Sequence, residues 1–205
     1  MKRIQHYATY LKGGAGAAAK AIFDGLHQEG RYTGSRFQDY WELEFLCRSD
    51  QELTETNAAH FCPSTSFWGR TIPRRMSRKS FKMAATHYHL HLKDRPKEYE
   101  CFSPARLYEP TAIGNTKNIG LVHLHWVAFL LDYITFFRSL PVAIPVVWTL
   151  HDMNAFTGGC HYSAGCNRYK HGCGNCFQLA NPSSDDLSAV TLENKKRALA
   201  KTNLT

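Results

Sequence analysis

His151 and Asp152 stand side by side directly after the run Pro145-Val146-Val147-Trp148-Thr149-Leu150. That run is short, apolar and rich in β-branched residues, and it opens on a proline. It reads as a buried strand of a parallel sheet. Ligands of open α/β sheets bind outside the carboxyl ends of the strands. A histidine and a carboxylate released there are placed for proton handling, hydrogen bonding and charge stabilisation. A second strand candidate, Ile119 to Trp126, also ends in histidines, His123 and His125. Neighbouring parallel strands would set His125 and His151 beside each other on one sheet edge. Each histidine alone reads as structural; their convergence points to a site, with His151 foremost.

A second constellation follows at once. Cys160-x5-Cys166-x6-Cys173-x2-Cys176 is packed with glycine and encloses His161 and His171. Four thiolates in a tight glycine-rich loop suit a tetrahedral zinc ion, which would be structural because four thiolates leave no open position. Disulfides and unpartnered reduced thiols are the other readings of this spacing. Cys47, Cys62 and Cys101 are scattered and read as core thiols.

The third is the turn Lys12-Gly13-Gly14-Ala15-Gly16, between a strand over 3–10 and a helix carrying Ala15, Ala18, Ala19, Ile22 and Leu26 at helical spacing. Gly30 is its expected C-cap. Gly14-x-Gly16-x-x-Ala19 matches the loose dinucleotide fingerprint. Glycines admit a close backbone approach, and a helix start attracts an anion. The turn therefore binds phosphate, or it merely lets helix and strand pack.

Elements must position these groups. A helix from Phe129 to Leu140, closed by Pro141, joins the two strands that end in histidine, which makes a βαβ unit and a parallel sheet. A short strand over 32–37 and an amphipathic run from Trp41 to Leu46 are weaker readings. A final helix spans Leu187 to Lys201, with Ser184 or Asp186 as N-cap. The expected class is α/β, a parallel sheet flanked by helices, in one domain over 1–205 with a cysteine-rich loop at 158–177.

The net charge is +8, but seven Lys and Arg, and no acid, lie between Glu55 and Asp94; without those seven it falls to +1. The basicity is local. Arg70, Arg74, Arg78 and Lys82 fall at helical spacing, with Arg75 and Lys79 beside them. This is a solvated face, a face for anionic lipid head groups, or a nucleic-acid contact. The N-terminus shows no apolar leader, and the apolar region 126–150 is broken by Asp132, Arg138, Pro141 and Pro145. We therefore expect a cytoplasmic protein with reduced thiols, without a membrane span, able to lie against the inner membrane.

In order along the chain come Lys12-Gly13-Gly14-Ala15-Gly16, Phe102-Ser103-Pro104, Val122-His123-Leu124-His125-Trp126, Pro145 to Met153, Ala155-Phe156-Thr157-Gly158-Gly159-Cys160-His161-Tyr162 and Gly172-Cys173-Gly174-Asn175-Cys176. This series resembles the N-terminal half of bacterial GT-B glycosyltransferases of family 4, in the subgroup with a cysteine loop. The resemblance implies a Rossmann-like domain on the acceptor side of a retaining sugar transfer from a nucleotide-sugar donor to a glycan or lipid-linked acceptor. It implies that Gly13, Gly14 and Gly16 approach the donor diphosphate and that His151 faces the transferred sugar. It implies that His125 and Asp152 line the acceptor side. No protein nucleophile and no catalytic metal are expected. Such enzymes carry a second, donor-binding domain that these 205 residues do not include, so the chain by itself is expected to be inactive. Two other classes compete, a zinc-bearing nucleic-acid module and an NAD-dependent oxidoreductase with Asp39 at the ribose. The first leaves parallel strands ending in histidine unexplained, and the second leaves the cysteine loop unexplained. No nucleic-acid partner is therefore expected.

Overall fold

A computed structural model describes residues 2–11, 13–32, 41–47, 58–60, 90–99, 101–106 and 117–205. The basic stretch, Cys62, Asp39 and residues 33–37 lie outside the described residues.

Among the described residues, six strands form one sheet: β1 (Lys2–Ala8), β2 (Trp41–Cys47), β3 (Ala58–His60), β4 (Ile119–Leu124), β5 (Pro145–Trp148) and β6 (Asn203–Leu204). Their order is β3-β2-β1-β4-β5-β6, and every pairing is parallel. The sheet grows outward from β1 in one direction and from β4 in the other, so its order reverses between them. Among the described residues it is accompanied by the helices α1 (Gly13–Tyr32), α2 (Tyr133–Ser139) and α3 (Leu187–Leu199). The expected α/β class with a parallel sheet is what the chain adopts.

Alternation along the strands divides the core into two layers. Tyr7, Val122, Leu124 and Val146 pack with Leu131, Phe136 and Phe137 on the α2 side. Ala8, Phe45 and Cys47 pack with Ala19 and Phe23 of α1 on the other. His6 and His123 are paired in register between β1 and β4. They fall on the α1 side because Tyr7, Val122 and Leu124 take the opposite face.

Several boundaries differ from the sequence reading. The helix expected from Phe129 begins at Tyr133, because Phe129 is left-handed (φ 61°) and the Asp132 carboxylate caps the amide of Thr135. The strands expected to reach Trp126 and Leu150 stop at Leu124 and Trp148. Gly30 is not a C-cap, since α1 continues to Tyr32. Trp41–Cys47 is a full strand, and Tyr32 ends α1 and does not open a strand. The last helix stops at Leu199, capped by Asp186 at the amides of Ser188 and Ala189. The chain then adds β6 against Pro145 and Val146, an element too short to show a pattern.

The glycine turn contains two kinds of glycine. A Cβ on Gly16 would lie 2.4 Å from the Tyr10 carbonyl oxygen, so Gly16 is needed for α1 to close onto the end of β1. Gly13 (φ +80°) and Gly14 face open space. Gly16→Ala is expected to cost about 1–3 kcal/mol by overpacking against backbone. Gly14→Ala is expected to be neutral, or to add up to about 1 kcal/mol of helix stability. Urea unfolding of the two variants checks this.

Candidate functional site

The carboxyl ends of β1, β4 and β5 meet at one edge. Backbone bonds lock them together: the His125 amide donates to Tyr7 O (2.9 Å), Thr9 N to Trp126 O (2.7 Å) and Thr149 N to Leu124 O (2.9 Å). Tyr10, just before the glycine turn, stacks on Trp126 at 6.0 Å between ring centroids. The glycine turn and the histidine-bearing strand ends, predicted separately, thus share one edge at the point where the strand order reverses.

His125, Trp126, Tyr133, Trp148, His151 and Asp152 line one cleft there. His151 Nε2 is buried and has no hydrogen-bond partner. Its ring lies 5.8 Å from that of His125. Trp148 donates from Nε1 to the His125 carbonyl (3.0 Å), tying the β5 end to β4.

Asp152 also lines the cleft, but its oxygens are taken up by protein. Oδ2 accepts from Trp126 Nε1 (2.6 Å) and meets His161 Nδ1 (2.5 Å), while Oδ1 accepts from the Asn154 amide (2.8 Å). His161 Nε2 in turn meets Ser103 Oγ (2.9 Å). Burial opposes the charged form of Asp152. Its bonds to His161, Asn154 and Trp126 outweigh that and hold the carboxyl below its ordinary value. In this structure Asp152 braces the site. His161, which sequence reasoning saw only as part of the cysteine loop, is its partner. Their separation in sequence carries no signal, because the fold of the loop alone sets the contact.

All four cysteines of the loop, Cys160, Cys166, Cys173 and Cys176, line a single cavity, and all are free thiols. Burial raises Cys160, Cys173 and Cys176, the last to about 11, with the neighbouring thiols adding to the rise. Backbone geometry fixes the loop. Gly174 has φ +88°, and a Cβ there would lie 2.5 Å from Ser184 O. The Gly174 amide donates to Ser188 Oγ (3.0 Å) and the Cys176 amide to Asp186 Oδ2 (2.7 Å). The cap of α3 therefore also anchors the cysteine knuckle. At the other end, Phe102 bridges Cys160 and the Ser103 amide donates to Gly159 O (2.8 Å).

Lys195 of α3 carries no signal in the sequence, since a lysine toward the end of a helix is favourable for the dipole. It is buried. Its ammonium donates to the carbonyl oxygens of Asn154 and Thr157, and sits 5.5 Å from the Tyr133 ring centroid. Burial lowers it from 10.5 to about 7, against the pull of Cys160, Asp152 and Cys173. His161 moves the other way. Burial would lower it, but its bonds to Asp152 and Cys101 raise it from 6.5 to about 9.

The two titrations have opposite signs. The contribution of His161 is complete below pH 6.5 and is lost as pH rises through about 9. The cost of burying Lys195 is complete below about pH 7 and is relieved toward pH 10.5, because the unfolded chain keeps the proton longer. Each slope is at most about 1.4 kcal/mol per pH unit. Wild-type stability is expected to be nearly flat from pH 7 to 9, to fall with pH in Lys195→Met, and to rise in His161→Gln. Urea midpoints at three pH values test this.

Among the described residues, no helix is long and apolar enough to cross a membrane. Comparison with known proteins finds no matching family model, no matching curated protein and no matching solved structure.

Proposed function

We propose that the chain is the acceptor-side, Rossmann-like half of a GT-B glycosyltransferase, which moves a sugar with retention from a nucleotide-sugar donor to a glycan or lipid-linked acceptor. The observation that carries this reading is His151. Its Nε2 is buried and unpaired in a cleft at the carboxyl ends of β4 and β5. A fold that leaves a ring nitrogen unpaired in a binding cleft has kept it for a ligand.

In this reading His151 hydrogen-bonds a hydroxyl of the transferred sugar and stabilises charge as the leaving phosphate departs. His125 and Trp126 line the acceptor side, and Asp152 holds Trp126 in place. Gly13 and Gly14, which face open space, admit the donor diphosphate; Gly16 serves packing. The four cysteines hold a structural zinc, whose thiolate donor set suits that ion. It would lock the loop that carries His161 onto α3. The basic stretch would rest on anionic lipid beside a lipid-linked acceptor, in a cytoplasmic enzyme at the inner membrane.

The test is to read the source DNA past the codon for Thr205, express the complete product and assay release of nucleoside diphosphate from UDP- and GDP-hexoses. Acceptor-dependent release that requires His151 is the expected result. Release untouched by loss of His151, or tight NAD binding without any sugar-nucleotide binding, would count against it.

A further inference from the structure

Behind the cleft, and sharing His125 with it, lies a cluster whose other two members the sugar-transfer reading does not use. We propose that His6, His123 and His125 form a binding site for a divalent transition-metal ion of the zinc, cobalt, nickel and copper class. One ring nitrogen from each lies within 4.8 Å of the others, and among the described residues this is the one such set of histidines, cysteines and acids.

The geometry fits an ion better than it fits hydrogen bonding. His6 Nδ1 and His125 Nε2 are 3.4 Å apart, which is long for a hydrogen bond. Two nitrogens each 2.1 Å from a tetrahedral ion stand about 3.4 Å apart. The opposite nitrogens, His6 Nε2 and His125 Nδ1, are buried without partners in residues 0% and 1% exposed, and an ion held by His6 Nδ1 and His125 Nε2 leaves them so. His123 is oriented from outside the cluster, by Thr149 Oγ1 at 2.8 Å from its Nε2. Donation from Nε2 leaves the lone pair on Nδ1, the usual way a neighbouring hydroxyl or carbonyl fixes a ligating imidazole. Phe23 and Phe45 wall the other side, at 5.5 and 6.2 Å from the His6 ring. Burial and the neighbouring imidazoles hold His6 and His125 near 3, so both are neutral and able to ligate at pH 7.

Imidazole suits these metals, and the absence of any carboxylate in the set disfavours magnesium and calcium. The site stands whether or not the chain transfers sugar.

The experiment uses the full chain, stripped of metal and labelled with 15N in its histidines, titrated with zinc while ring nitrogen resonances are followed. The Cys173→Ser variant, titrated in parallel, separates this site from the thiols. The expected result is that the rings of His6, His123 and His125 shift together on binding one equivalent in Cys173→Ser, and in wild type on binding one equivalent beyond that taken by the thiols. His6→Phe, which keeps an aromatic ring beside Phe23 and Phe45, should weaken that equivalent by about 100-fold or more. Rings that stay unmoved in tenfold excess zinc would overturn the proposal, as would His6→Phe binding as wild type does. Should His6→Phe not fold, the wild-type titration decides by itself.

Discussion

On the proposed reading, replacing His151 by alanine in the complete product is expected to lower sugar transfer by about 10²–10³-fold while leaving the fold intact. The magnitude is that of removing one preorganised hydrogen-bond donor from a site where charge develops. The structural side follows from the same atom: His151 Nε2 has no partner to lose. Asp152 gives the opposite pattern. It is tied to Trp126, Asn154 and His161, so Asp152→Ala breaks a buried pair and should cost about 3–5 kcal/mol of stability. Activity and urea unfolding measured on both variants separate the roles. Equal destabilisation by the two substitutions, with transfer reduced only in proportion to unfolded protein, would remove His151 from the chemistry.

Cys173→Ser is expected to remove one zinc per chain and to lower Tm by about 10–20 °C. A structural zinc contributes its binding free energy to folding, about 10–16 kcal/mol in isolated fingers. Here only part is at stake, because Asp186, Ser188 and the Phe102–Cys160 bridge also hold the loop. A loss of about 5 kcal/mol corresponds to the stated shift for a chain of this size. Metal analysis and thermal unfolding with and without a chelator check it. Thermal unfolding that responds to reductant and ignores chelator would instead mark the four thiols as disulfide partners. The four sulfurs are not among the sets closed to within 4.8 Å.

The layer architecture, and the edge where the groups gather, are legible in the order of residues alone. Apolar runs of strand length, a helix between them and a glycine turn leave few arrangements other than a parallel sheet. Strand ends that turn polar at His125 and His151 mark the carboxyl edge. The cysteine spacing was legible because all four ligand candidates lie within one loop, which local chain geometry can close.

The partners of these groups came only from the folded chain, whether near or far along it. His6 looked like an ordinary strand residue. It joins His123 because parallel pairing sets those two in register, and no local pattern encodes register. Asp152 read as a free carboxylate at a strand end. The return of the cysteine loop gives it His161, so it braces the cleft that it also lines. Lys195 stands among basic residues favourable for the dipole near a helix end, and the packing of α3 buries it against the carbonyls of Asn154 and Thr157. Gly16 matched a phosphate motif, yet a contact with the Tyr10 carbonyl explains it. In each case the residue type was visible in the sequence. Its partner was not, because contacts across the sheet are fixed by long-range packing and not by neighbours along the chain.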